Sequence, residues 1–335
     1  MMASKLKVGL YATTQFTAET DLGNAKSELV EQVRLARASG FSSLWLPHHY
    51  LTQPMKMLAT IPMLAYLARE AEGMMVGPNI LVVPLLNPVH VAEDAVTLDF
   101  LTGGNYVLGM GVGYREAEFN AFNVPLKERA QRFEESIEIM RRLWTEERVT
   151  YHGKIFHIED LGIGVKPVRK GGVPIWIGAV VDAAMKRAAR MGDAWLITNF
   201  APYADLVRQM KIYRETLAEV GKTFPVDAPI TRECYIGSSR AAALDECRAA
   251  LQYKYGAYSS WGLDKLSKGS SSFDQPFEEF VKDRFIIGDK EQVKDEIQRY
   301  QETLGVNHFI MRVQWPGLEQ AKVMRTIVGL GEIFA

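Results

Sequence analysis

The chain has 335 residues, 47% of them apolar, and a formal net charge of −1, so it can bury a core as large as one barrel of about 250 residues with insertions. Basic residues are spread along the chain, which excludes a basic footprint for nucleic acid or an anionic membrane, and no stretch approaches the roughly 18 apolar residues of a membrane span. Two cysteines, Cys234 and Cys247, suggest no disulfide framework, and the start MMASKLKVGL lacks an apolar signal core, so a reducing cytoplasm is expected.

In chain order, short apolar runs alternate with amphipathic helices, the pattern of parallel βα units. Leu6 to Tyr11 reads as the first strand, and Leu29, Val33 and Ala36 give the next helix one apolar face, stopped by Gly40. A second strand begins at Ser43-Leu44-Trp45-Leu46. Further strands are predicted near 75–82, 105–111, 174–178, 193–197, 229–236 and 306–313, and several are apolar on successive residues, as in strands covered on both faces. Helical spacing recurs at Val91, Ala95, Leu98, then at Phe133, Ile137, Met140, Trp144, then at Val293, Ile297, Tyr300, Leu304. Eight strands in this alternation predict a single-domain (β/α)8 TIM barrel. Gly256 to Gly288 breaks the period with Gly-Ser-Ser-Ser, charges and isolated aromatics, and reads as a long insertion after the seventh strand-helix unit, in the position of an active-site lid.

The chemistry concentrates in residues 81–129, LVVPLLNPVHVAEDAVTLDFLTGGNYVLGMGVGYREAEFNAFNVPLKER. Glycines after a strand in LGMGVGY could belong to a dinucleotide fingerprint, but that motif wants a helix at once and an acidic residue about 20 positions later on a second strand. Instead the chain runs through Tyr114-Arg115-Glu116 into a loop containing Pro125. His48 and His49 end the second strand, where barrel active sites lie. Adjacent strand residues face opposite ways, so the two are ill placed to share a metal, and no metal site is expected.

Together with SLWLPHHY (43–50), VPIWIGAVVDAAMKRAARMGDAW (173–195) and the C-terminal IIGDKEQVKDEIQRYQETLGVNHFIMRV, this region resembles the bacterial-luciferase-like flavin enzymes over nearly the whole chain. The resemblance implies that His48 is the catalytic histidine. It implies that Arg129, heading the Phe133–Trp144 helix, contacts the flavin phosphate together with the turn Gly178-Ala179-Val180-Val181, where the valines leave only backbone donors. Glu118 corresponds to an acidic residue near the flavin, and Asn79-Ile80 to a bulge behind the ring that relatives often build with a non-prolyl cis peptide. Gly111 stands where the luciferase catalytic subunit has a reactive cysteine, so light emission is not implied. Trp45, Met55, Met57, Trp195, Phe200 and Trp315 are candidates for substrate-pocket walls.

The function implied is a flavin-dependent monooxygenase. Reduced FMN from a separate NAD(P)H-dependent flavin reductase would react with oxygen to a C4a-(hydro)peroxide that oxidises a small apolar or aromatic molecule, and a homodimer is expected. A deazaflavin (coenzyme F-420)-dependent dehydrogenase or reductase is the alternative on the same fold. A non-catalytic flavin-binding protein is the alternative of another class; its marks, loss of His48 and of the insertion, are not seen.

Overall fold

The computed structural model describes residues 6–264, 273 and 275–335. Eight parallel strands form its centre: β1 (Lys7–Tyr11), β2 (Ser43–Leu46), β3 (Met75–Pro78), β4 (Leu108–Gly111), β5 (Ile175–Ala179), β6 (Ala194–Ile197), β7 (Pro229–Ile236) and β8 (His308–Arg312). Each pairs with its sequence neighbours, β1 also with β8 through Lys7↔His308 to Leu10↔Met311. The remaining gap, between β3 and β4, is closed by a parallel bridge Val76↔Tyr106, with Val76 N donating to Asn105 O and Val107 N to Val76 O, both at 2.9 Å. The result is the predicted (β/α)8 barrel. Its strands differ from the expected ranges mainly at 75–82, where the run is interrupted by a cis peptide at Asn79–Ile80: Met75–Pro78 pairs with β2, and Leu81–Val82 then pairs with Met110 and Gly111 of β4.

Helices α1 (Leu22–Ala38), α2 (Thr60–Ala68), α3 (Pro88–Leu101), α4 (Arg129–Thr145), α5 (Asp182–Met191), α6 (Tyr203–Glu219), α7 (Arg240–Ser260), α8 (Lys290–Leu304) and α9 (Gln320–Phe334) cover the strands. Sequence signals set their ends. Asn87 caps α3 by accepting from Val89 N with Pro88 in the first turn, and Asp289 caps α8 in a reciprocal capping box with Gln292. Gly305 then ends α8 at φ 74°, in the left-handed region that favours glycine. Between sheet and helices lies the main core, to which Leu29, Val33, Val91, Phe133, Met140, Val293 and Ile297 contribute as their spacing predicts.

A second cluster fills the barrel's interior: Trp45 stacks on Trp176 with ring centroids 5.0 Å apart, beside Val107, Leu196, Ile310 and Tyr11. Gly77 is required there, because a Cβ on it would come within 2.6 Å of the Trp45 ring. This plug fills the middle of the barrel below the carboxyl ends of the strands.

The insertion is shorter than the sequence suggested. Residues 256–260 continue α7, and Ile286–Gly288 form a strand that pairs with Cys234–Ile236 of β7. The Gly-Ser-Ser-Ser stretch lies outside the described residues. Around it, Phe273, Phe277, Phe280 and Phe285 pack with Tyr255 into a third core cluster.

Candidate active site

At the carboxyl ends of the strands lies a cavity of about 250 Å³. Its lining includes nine positions expected from the sequence: His48, Asn79, Ile80, Gly111, Glu118, Arg129, Gly178, Ala179 and Val180. These come from the carboxyl ends and following loops of four consecutive strands, β2 to β5, which is where a barrel gathers side chains from distant parts of a chain.

His48 follows β2 and is 6% exposed. Its Nδ1 lies 3.2 Å from Val82 N, and because a backbone N–H can only donate, Nδ1 is the acceptor and the ring proton sits on Nε2. Burial, helped by the neighbouring His49 and opposed by Glu118, pulls its pKa down to about 4. At neutral pH His48 is therefore an uncharged imidazole with one N–H to offer. That differs from the usual rationale for a catalytic histidine, a pKa near working pH.

His49 is tied up differently. Its Nδ1 sits 3.2 Å from Glu118 Oε1, which also accepts from Tyr50 N at 2.8 Å, and Arg115 Nη1 is 3.7 Å from the same oxygen. Burial works to raise the Glu118 pKa, but His49, Tyr50 N and Arg115 outweigh it, and the carboxyl stays below its ordinary value. Arg115 in turn donates to the carbonyls of Tyr50 and Leu51 and lies 4.4 Å under the Trp261 ring. This knot fixes the segment after β2, and with it His48.

The phosphate candidates share one end of the cavity. Arg129 begins α4 and has no hydrogen-bond or ion-pair partner among the described residues, although Glu128 precedes it and basic and acidic groups pair freely elsewhere on the surface. On the neighbouring unit, α5 starts at Asp182 after Val181 with no side-chain cap, so its first-turn N–H groups remain available to an anion. Asp182 itself is turned to Arg208 at 2.8 and 2.9 Å. Gly111 and Gly178 play a part other than the one expected. A Cβ on either would stand 2.8 Å from the Ile80 side chain, so the glycines make room for Ile80, which then forms the apolar wall in place of bare backbone.

Of the six substrate-wall candidates, Trp45, Met55, Met57, Trp195 and Trp315 do not line this cavity. Trp45 belongs to the plug inside the barrel and donates from Nε1 to Ser43 Oγ at 2.8 Å. Trp195 precedes Leu196; as Leu196 faces inward to the cavity, strand alternation turns Trp195 outward onto Tyr213, 5.4 Å away. Trp315 is fully buried with its Nε1 donating to Glu233, and Met55 is 2% exposed within its loop. Phe200, by contrast, does line the cavity, as do Tyr11, Tyr114, Thr231, Tyr258, Leu263 and Arg312, none of which the sequence reading had singled out. Arg312 carried a legible signal, a cation at the carboxyl end of a strand directly after the apolar run Phe309-Ile310-Met311.

Among the described residues no group of three or more His, Cys, Asp or Glu could hold a metal, and no helix is long and apolar enough to cross a membrane. Both cysteines are free and buried.

The sequence is 28% identical over 319 residues to the F420-dependent glucose-6-phosphate dehydrogenase of Intrasporangium calvum, covering 89% of this chain and 91% of the relative. In fold it is similar to a monooxygenase from Streptomyces bottropensis, with TM-score 0.86 at 19% identity over 98% of both chains. It is also similar to the oxygenating constituent of 3,6-diketocamphane monooxygenase of Pseudomonas putida in complex with FMN, with TM-score 0.80 at 16% identity over 98% of both chains. Residues 6–307 match the family model described as luciferase-like monooxygenase, and the chain belongs to that family of oxidoreductases.

Proposed function

We propose that the protein is a flavin-dependent monooxygenase that uses reduced FMN, supplied by a separate NAD(P)H-dependent flavin reductase, and oxygen to oxidise a small aromatic or apolar molecule. The observation that carries this reading is His48, held neutral with its single N–H on Nε2 in a cavity that also presents Arg129, an arginine with no partner among the described residues. When bound, reduced FMN would supply the two electrons with which oxygen is activated.

The chain's own residues have three tasks in this reading. Arg129 and the open start of α5 hold the phosphate, by a charge-assisted fork and by backbone N–H groups. Ile80, Val82, Val112 and Leu196 supply an apolar wall for the ring. His48 Nε2–H donates a hydrogen bond to the reacting oxygen, a preorganised donor in a water-poor site. Tyr258 and Leu263 wall the cavity beside Trp261, and this flank of the insertion serves to exclude water. We include a homodimer in the proposal as an expectation for the family.

A second reading, hydride transfer with the deazaflavin coenzyme F-420, is favoured by the dehydrogenase relative described above. Oxidation of an alcohol asks for a base. His48 serves poorly, because Nδ1 is already occupied by Val82 N–H and Nε2 carries the proton. The test is His48→Ala, assayed as the rate of oxygenated product formation at saturating reduced FMN. Loss of a preorganised donor is expected to cost about 10²-fold in turnover, and His49→Ala should cost less. Wild-type turnover in His48→Ala would remove the assignment.

A further inference from the structure

Across the ring of strands from β4, where Arg129 follows, stand β8 and β1. Arg312 ends β8 there, 1% exposed yet part of the cavity wall. Its Nη2 donates to Thr13 Oγ1 at 2.9 Å and to Gln15 Oε1, while Nε is 3.5 Å from Gln314 O and Nη1 is 3.5 Å from Tyr258 Oη. One edge of the fork is therefore held firmly. Among the described residues Nη1, with two N–H groups, has a single long contact.

The charge around Arg312 does not balance. Among the described residues the carboxylate acting on it is Glu233, which is fully buried and already accepts from Lys254 Nζ, Trp315 Nε1, Asn199 Nδ2 and, at 2.9 Å, Tyr255 Oη. Glu233 and Lys254 sum to zero whichever of them holds the proton between them. Arg312 is left as a whole positive charge in a wall removed from water, which is costly unless a ligand supplies the counter-charge. Tyr258 and Tyr11, over whose ring Arg312 lies at 5.0 Å, line the same cavity, and so do Phe200, Leu263, Thr231 and Asn199.

We propose that the Arg312 wall is an anion subsite, which binds the carboxylate or phenolate oxygen of an aromatic substrate while the flavin occupies the Arg129 side. The inference rests on the flavin reading for what fills the opposite end, and not on the oxygen chemistry. An ionised pyrimidine of reduced flavin offers similar anionic chemistry, and the test separates the two sources.

Benzoate and its neutral analogue benzamide are titrated calorimetrically under anaerobic conditions into wild-type protein, flavin-free and saturated with reduced FMN. Benzoate is expected to bind at least tenfold more tightly than benzamide in both forms. Arg312→Met should abolish that preference. Lys254→Met keeps Arg312 but lets Glu233 neutralise it, so the preference should fall there too, a second route if Arg312→Met does not fold. Equal binding of the two probes by wild type, or a preference that survives in either folded variant, overturns the proposal. Benzoate that binds the flavin-free protein and is expelled by FMN would assign the anion to the flavin and also overturns it. If FMN does not bind at all, the flavin reading fails, while the benzoate preference of the flavin-free protein still decides this one.

Discussion

Arg129→Ala removes a guanidinium with no partner among the described residues, so nothing is orphaned by its loss and the protein's own stability should hardly change. The effect should fall on the cofactor. A charge-assisted contact to phosphate contributes about 1.5–3 kcal/mol, which at about 1.4 kcal/mol per tenfold means FMN binding weaker by roughly 10- to 150-fold. The start of α5 remains in the mutant and contributes about 0.3–1 kcal/mol to an anion, so a residual preference of roughly two- to fivefold for FMN over riboflavin should persist. Riboflavin, lacking the phosphate, should bind wild type and mutant alike. Quenching of flavin fluorescence at fixed ionic strength reads all four affinities. A mutant that discriminates FMN from riboflavin as strongly as wild type would refute the assignment of Arg129 to the phosphate end.

Acid should destabilise the fold through its neutral histidines. Burial holds both His48 and His308 near a pKa of about 4, whereas an unfolded histidine titrates near 6.5. Below pH 6.5 the unfolded chain therefore binds protons the folded chain does not, and stability is lost as the pH falls toward 4, by about 3 kcal/mol per histidine at pH 4. Urea unfolding from pH 7 to 4.5 should show a shallower acid slope in His48→Ala; an unchanged slope would mean that His48 is charged or exposed in the folded protein. Gly111→Ala would set a methyl 2.8 Å from Ile80 Cδ1 and push that side chain toward the flavin space, at an overpacking cost of about 1–3 kcal/mol. Both the melting temperature and FMN affinity should drop, and an FMN affinity equal to wild type would take Ile80 out of the ring's wall.

Much of the fold was legible because a barrel repeats one local rule. Strand-like runs at 43–46, 194–197 and 229–236 and the apolar faces of α1, α3, α4 and α8 follow from spacing alone, since each element must bury one face against its neighbours. Placement in the cavity was legible where motif and strand end coincide, as at His48, Gly111 and Gly178, although the glycines' task of making room for Ile80 was not. It was illegible where depth decides. Trp45 and Leu196 both turn into the barrel, but only height along the axis separates a plug residue from a cavity wall, and sequence carries no height. The Glu233–Lys254–Trp315 cluster unites three segments far apart in the chain, so no local window shows it. The insertion was overestimated because α7 buries Lys254, Tyr255 and Tyr258 together, a face of mixed polarity that masks the helical period.

The measurement nearest the central claim is a direct comparison of reduced FMN with reduced coenzyme F-420. Equilibrium affinities are determined anaerobically, and each complex is then mixed with oxygen and with an aromatic carboxylate. Reduced FMN should bind at least tenfold more tightly and yield oxygenated product as oxygen is consumed. Tighter binding of reduced F-420, with hydride transfer and no oxygen-dependent product, would contradict the account.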